Sequence, residues 1–200
     1  MGNTNQQSCS YPVNDIFSSI QGEGFWTGLP VTFIRFAQCN LSCSFCDTDY
    51  SVRERLTAEE ILERVLLYSA RTLIVTGGEP LIHPLENLLK IFKRTGFRIH
   101  VETNGTIEIP EGLFDWITVS PKTHNPVVKK CNELKVLVNA GDVPDKRGIV
   151  ADYYFISPLN PGLDEKGLIH DDNLKYCVDY VLKNPEWRLS VQLHKYLGIQ

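Results

Sequence analysis

Runs of β-branched and aromatic residues alternate along this chain with stretches of helical periodicity, and each of its unusual loops follows a β-rich run. That order restricts the fold more than any other feature. Residues 31–36 read as an apolar strand. Residues 57–70 read as a helix: Thr57 can cap it, Glu60 completes a capping box, and Ile61, Leu62, Val65 and Leu66 form one stripe. Residues 72–75 form a short buried strand. Leu85, Leu88, Leu89 and Phe92 mark a second helix, which Gly96 ends. Further strands are expected at 98–102, 116–119, 133–138 and 153–156. Asp171 or Asp172 caps a helix that turns Leu174, Cys177, Val178 and Val181 inward; Pro185 follows its end, and 189–193 is the last strand.

Strands that alternate with helices imply an α/β fold with a mainly parallel sheet and right-handed crossovers. About seven strands, fewer full helices than an eightfold barrel needs, and 200 residues against the ~250 typical of one predict a partial, compacted (β/α) barrel. A single domain is expected over residues 1–200, with 1–10 a flexible N-terminal segment. In a parallel sheet the loops after the strands converge at the carboxyl edge, where α/β proteins bind ligands. Five loops meet there on this reading: the one carrying Cys39, Cys43 and Cys46, then Thr76-Gly77-Gly78-Glu79-Pro80, Thr103-Asn104-Gly105, Ser120-Pro121-Lys122 and Ser157-Pro158-Leu159-Asn160.

The bulk numbers exclude several classes. Net charge is −4 with both signs mixed, and no basic run exists to track a nucleic-acid backbone, so a free nucleotide or small metabolite is the expected substrate. No apolar run approaches the ~20 residues of a membrane span. Residues 1–10 are polar and lack a signal peptide's positive start and apolar block, so the expectation is a cytoplasmic protein. The chain has six cysteines. Without an export signal the three clustered ones read as metal ligands rather than disulfide partners. Cys177 reads as core, and Cys9 and Cys131 have no evident role.

The spacing C-x3-C-x2-C puts three soft thiolates on one tight loop with no fourth nearby. A [4Fe–4S] cube held by three thiolates keeps one iron open to a ligand. Zinc wants four ligands, usually in two pairs, and no second pair exists: Cys9, Cys131 and Cys177 stand alone, and His83 and His124 lack pair spacing. A zinc module and free thiols remain the alternatives. The glycines at 77 and 78 let backbone amides approach a ligand closely, unless they form only a tight turn. Gln21-Gly22-Glu23-Gly24 offers amides, a carboxamide and a carboxylate, a set that can read a planar heterocycle. Arg35, in mid-strand, could clamp a carboxylate with its fork or fill a buried structural ion pair.

With Phe45 before its third cysteine, the loop resembles that of the radical S-adenosylmethionine (AdoMet) superfamily, whose open iron binds AdoMet. The resemblance narrows when Ser18-Ser19-Ile20-Gln21-Gly22-Glu23-Gly24, the Arg35 strand, Cys46-Asp47-Thr48, Thr-Gly-Gly-Glu-Pro, Ser120-Pro121-Lys122 and a terminal Gln192-x-His194-Lys195 are taken in order. Together they resemble the 7-carboxy-7-deazaguanine synthase family over nearly the whole chain, from Tyr11 to Gln200. A glycyl-radical-enzyme activase shares the cysteine spacing, but Gln21–Glu23 and Arg35 suit a small carboxylated heterocycle better.

The resemblance implies a lyase of queuosine and 7-deazapurine biosynthesis. It converts 6-carboxy-5,6,7,8-tetrahydropterin to 7-carboxy-7-deazaguanine with loss of ammonia, abstracts hydrogen at pterin C6 and regenerates AdoMet. It further implies that Cys39, Cys43 and Cys46 hold the cluster, and that Phe45, Cys46, Asp47, Gly78, Glu79, Ser120, Pro121 and Lys122 contact AdoMet. The pterin would meet Ile20, Gln21, Gly22, Glu23, Arg35 and Thr76, with His194 and the terminal carboxylate of Gln200 as further contacts. Thr48 matches a Mg2+ ligand, which suits a cation that prefers oxygen donors; otherwise its hydroxyl bonds its own loop. A flavodoxin- or ferredoxin-type electron donor and a homodimer complete the expectation.

Overall fold

The computed structural model describes residues 10–159 and 171–200. Cys9, Asn160 and the side chain of Asp171 lie outside them, as does the N-terminal segment up to residue 9, and Ser10 is already the first residue of a strand. Fourteen segments follow in order: β1 (Ser10–Ile20), β2 (Pro30–Phe36), β3 (Glu54–Thr57), α1 (Ala58–Leu66), β4 (Thr72–Gly77), a 3-10 turn (Pro80–Ile82), α2 (Glu86–Arg94), β5 (Arg98–Thr103), β6 (Trp116–Val119), β7 (Lys130–Val138), β8 (Val150–Pro158), α3 (Asp171–Lys183), β9 (Trp187–Leu189) and α4 (Leu193–Leu197). The strands form one sheet in the order β3-β1-β2-β4-β5-β6-β7-β8-β9. Every neighbouring pair from β2 onward is parallel, whereas β1 runs antiparallel to both β2 and β3. With β3 and β9 as free edges the sheet is open, the partial barrel expected.

Alternation sorts the side chains to two faces. Ile34, Phe36, Leu73, Val75, Ile99 and Val101 pack on the outer face against Ile61 and Val65 of α1 and Leu88, Leu89 and Phe92 of α2. Leu134, Val136, Val138 and Ile156 form a second outer cluster with Cys177 of α3 and Trp187 of β9. The inner face carries a small apolar floor of Phe17, Val31, Phe33 and Ile74. Its other inward positions are polar: Thr76, Thr118, Glu133 and Lys135 are buried and Glu102 is half-buried. A buried face this polar is built to hold something.

Four expectations need correction. The first helix stops at Leu66 rather than residue 70, and Leu66 is 49% exposed, so the buried stripe is Ile61 and Val65. Val178 is 36% exposed, because only Cys177 on that stretch of α3 faces the sheet squarely. The last strand stops at Leu189, and 193–197 turn into the short α4, so Gln192, His194 and Lys195 lie on a loop and helix rather than a strand. The run Leu189, Val191, Leu193 alternates like a strand, but Leu193 donates its amide to the Gly22 carbonyl and the chain bends away from the sheet. The sheet also has two strands the pattern did not reveal, β1 and β3. The crossovers from β5 to β6, β6 to β7 and β7 to β8 carry no helix among the described residues, which compacts the barrel.

Candidate active site

The loop joining β1 to β2 crosses the concave face and fastens to strands far along the sheet. Gly24 donates its amide to Ser190 Oγ at 3.0 Å, and the Phe25 amide donates to Glu133 Oε2 at 3.0 Å. The Phe25 ring stacks on Trp116 and leans on Tyr153. Arg188 lies 4.5 Å from the Tyr153 ring centroid and Arg98 lies 4.4 Å from that of Trp26, so two guanidiniums cap this aromatic plug. Above the plug opens a cavity of about 470 Å³.

Its wall holds the residues read from sequence. Ile20, Gln21, Gly22, Glu23, Arg35, Cys39, Cys43, Phe45, Cys46, Asp47, Thr48, Thr76, Gly78, Ser120, Lys122, His194 and Gln200 all line it. Glu79 and Pro121 do not. Glu79 is fully buried, and its carboxylate accepts from Thr103 Oγ1 at 2.8 Å, the Asn104 amide at 2.7 Å and the Leu81 amide at 3.1 Å. Burial pushes its carboxyl up, and these donors partly offset it. Glu79 thus ties the loop after β4 to the loop after β5. The Pro121 carbonyl accepts from Arg147 at 3.0 Å.

The cysteine loop stands directly on the glycine pair. Gly77 has φ +145°, and a Cβ there would run into the Phe36 carbonyl; one on Gly78 would collide with the Gln38 carbonyl and come within 2.8 Å of Cys39 Cβ. The Glu79 amide donates to the Gln38 carbonyl at 3.0 Å, and Gln38 itself adopts φ +71° to turn the chain into the cysteines. Burial raises the Cys43 thiol, while the Lys122 ammonium pulls against it and the other two cysteines add to it. Lys122, half-buried and donating to Ser120 Oγ at 2.8 Å, is lowered by burial and held up by Cys43, Asp47 and Cys46. A cation thus faces the thiols, as anionic ligands need.

The donor chemistry separates the metal alternatives. Among the described residues no three His, Cys, Asp or Glu side chains are grouped to hold one metal ion. Zinc needs thiolates that meet at a single centre about 2.3 Å from each sulfur. Three thiols on one cavity wall, with no fourth protein ligand beside them among the described residues, are the set that holds an iron–sulfur cube and leaves one iron open.

On the opposite wall a chain of polar contacts runs from strand to strand. Thr76 Oγ1 donates to Glu102 Oε2 at 3.1 Å, Gln21 Nε2 donates to Glu102 Oε1 at 2.9 Å, and the Glu23 amide donates to Gln21 Oε1 at 3.2 Å. Glu23 in turn pairs with Lys135. Arg35 makes no ion pair among the described residues and stacks over Phe17 with its fork at the cavity, so the structural ion pair weighed as its alternative is absent there. His194 packs where a Gly22 Cβ would be. Burial lowers its imidazole, Lys195, Lys135 and Arg35 add to this, and Asp47 opposes it. Lys195 bonds Asp47 at 2.6 Å; burial raises that carboxyl, but the Lys195 and Gln192 contacts outweigh it and hold it below the usual range. Gln200 donates from Nε2 to Asp15 at 2.5 Å, and its terminal carboxylate accepts from Ser19 Oγ at 2.5 Å.

The sequence reading missed Glu102, Lys135, Glu133, Asp15 and Lys195. A signal existed for two of them. Glu133 and Lys135 are two apart in an apolar strand, so both face the side opposite the core.

Comparison with known proteins agrees with this geometry. Residues 33–138 match the Radical SAM superfamily. The chain is 38% identical over 189 residues to the 7-carboxy-7-deazaguanine synthase of Bacteroides thetaiotaomicron, covering 94% of this chain and 98% of that one. It is 37% identical to the enzyme of the same name from Haemophilus influenzae, covering 96% and 95%. A crystal structure of QueE from Escherichia coli superposes with a TM-score of 0.70 at 28% identity, over 92% of this chain and 95% of that one.

Proposed function

The chain belongs to the 7-carboxy-7-deazaguanine synthase family of the Radical SAM superfamily, and from that premise we propose how its cavity carries out the family's reaction. It is a radical AdoMet lyase of the queuosine pathway that uses a [4Fe–4S] cluster and AdoMet and acts on 6-carboxy-5,6,7,8-tetrahydropterin. When bound, these cofactors supply a 5′-deoxyadenosyl radical able to take hydrogen from pterin C6. The observation that carries the assignment is the near-full-length likeness joined to one cavity lined by both the thiols and Arg35, which has no ion-pair partner among the described residues.

Cys39, Cys43 and Cys46 would hold the cluster, with Lys122 offsetting their charge. Phe45, Cys46, Asp47, Gly78, Ser120 and Lys122 would hold AdoMet. Glu79 would act through the loop it fastens, and Pro121 through the turn that presents its neighbours. Ile20, Gln21, Gly22, Glu23 and Thr76 would seat the pterin ring, with Glu102 fixing Gln21 and Thr76 in place. Arg35 would clamp the carboxylate through two parallel bonds. His194, held neutral near pH 7 by its surroundings, would accept or return a proton as ammonia leaves. Thr48 and the substrate carboxylate would share a Mg2+ that neutralises developing charge. Gln200, fastened to Asp15 and Ser19, would close the mouth over the substrate.

A flavodoxin- or ferredoxin-type donor, a homodimer and a cytoplasmic setting complete the reading; no helix among the described residues is long and apolar enough to cross a membrane. The zinc module and the glycyl-radical activase are not favoured, both on the relatives and the family match. The test is anaerobic reconstitution followed by reduction with AdoMet, Mg2+ and the tetrahydropterin. The expected result is about four irons and four sulfides per chain, ammonia, and 7-carboxy-7-deazaguanine by mass spectrometry. A brown, reduced protein that yields no such product overturns the reading.

A further inference from the structure

The wall below the cavity gathers three carboxyls around one ammonium. Glu23, Glu102 and Glu133 face one small space there, and Lys135 is the ammonium among them. Glu133 and Lys135 are 3% and 9% exposed. Burial lifts the Glu133 carboxyl to about 7, with Glu102 adding to the push. An opposite charge within a few ångströms favours the ionised form of a carboxyl, so where the Lys135 ammonium sits matters to this group.

That position is specific. The Lys135 ammonium pairs with Glu23 Oε2, and both side chains are nearly enclosed, at 11% and 15% exposure. It forms no other hydrogen bond among the described residues. Glu23 Oε1 accepts none among them, and Glu23 lines the cavity. Burial draws the Lys135 ammonium down to about 8, and Glu23 Oε2 is the acceptor set against it. A buried ion pair is weak support for stability, since an apolar pair of like volume does as well. It does fix the state and aim of a carboxylate.

We propose that Lys135 is a positioning residue for substrate choice: it keeps Glu23 ionised and turns the second oxygen toward the N–H and NH2 donors of a 2-amino-4-oxo ring. This rests on the pterin reading of Glu23 given above. An ionised carboxylate accepts from that edge and repels a carbonyl in its place; a protonated one can donate to the carbonyl. Lys135 therefore sets the preference for an amino group over an oxo group at the 2-position.

The test is calorimetric titration of 6-carboxytetrahydropterin, and of its 2-oxo counterpart, into the cluster-loaded, AdoMet-bound protein without oxygen. Lys135→Met is expected to weaken pterin binding at least about tenfold and to shrink the preference over the 2-oxo compound, as loss of one partner of a buried charge pair does. Lys135→Arg keeps the cation and recovers part of both. Lys135→Met combined with Glu23→Gln is expected to bind no worse than Glu23→Gln alone, because the two act as one unit. Iron content and thermal midpoint report folding of each variant. Unchanged or tighter binding in Lys135→Met, or penalties that simply add, overturns the proposal and leaves the pterin reading standing. Wild-type protein that binds no pterin overturns both.

Discussion

At the scale of single residues the site depends on close approaches that side chains would block. Gly24 has φ +67°, and a Cβ on it would strike the Glu133 carboxylate. Gly24→Ala should therefore push the 21–24 loop off β7, adding backbone strain of roughly 1–2 kcal/mol. A displacement near 1 Å at a substrate contact can cost up to about 100-fold. The expected outcome is a pterin KM raised by about tenfold or more with normal iron content; an unchanged KM would show that the loop does not need this seat. Glu133 gives a pH signature. Its folded carboxyl sits near 7 against 4.5 in the ordinary case, because burial disfavours the charge. As pH rises between those values the unfolded chain releases this proton and the folded chain does not, so the fold loses stability across that window and levels off above it. At ~1.4 kcal/mol per pH unit the loss is roughly 3 kcal/mol. Glu133→Gln keeps an oxygen for the Phe25 amide and lacks the titration. Its thermal midpoint should gain on wild type from pH 5 to pH 8, and parallel curves would sink the argument.

At the scale of elements, legibility followed how local the signal was. The capping box on α1 is present in full: the Glu60 amide donates to Thr57 Oγ1 at 3.2 Å and the Thr57 amide to Glu60 Oε2 at 2.7 Å. Four residues in sequence suffice to specify it. Thr57→Ala should cost about 1 kcal/mol and lower the midpoint by about 2–4 °C in scanning calorimetry. Pterin turnover should not change, since α1 packs on the outer face. β2, β4, β5 and β6 were readable because short runs rich in Val, Ile, Thr and Phe, with apolar residues recurring at every second position, lie between turn signals. β1 was not. Its Pro12, Asn14 and Asp15 break the apolar run, and a register shift between Val13 and Asp15 breaks the alternation. That shift falls where Asp15 reaches Gln200 and Asn14 Nδ2 donates to the Ser51 carbonyl at 2.9 Å, so what hid the strand belongs to the site. The cysteines and the Gln21–Glu23 loop were legible as motifs. Glu102 and Lys135 were not, because their meaning lies in partners 81 and 112 residues away.

At the scale of the whole molecule, folding and function rest on different parts of the chain. The apolar clusters lie on the outer face and the inner floor, between the sheet and its helices, and no residue beyond Leu189 belongs to them. The segment after β9 buries none of its α4 residues. Its contacts go instead to the site: Leu193 to the Gly22 carbonyl, His194 against Gly22, Lys195 to Asp47, and Gln200 to Asp15 and Ser19. These join the 21–24 loop, the cysteine loop and β1 across the mouth of an open sheet. Ending the chain after Gln192 should then spare the fold and open the cavity. Loss of exposed polar contacts predicts a midpoint within a few degrees of wild type, because such pairs contribute about 0–1 kcal/mol each. Iron should still load at the wild-type ratio, since no cysteine is touched. Pterin turnover should fall by about 100-fold or more, through lost positioning and an inlet for water. Calorimetry, iron analysis and product assay on the shortened chain check all three. Turnover that survives would place closure elsewhere, and a chain that melts with its cluster unbound would show that the tail holds the fold as well as the site.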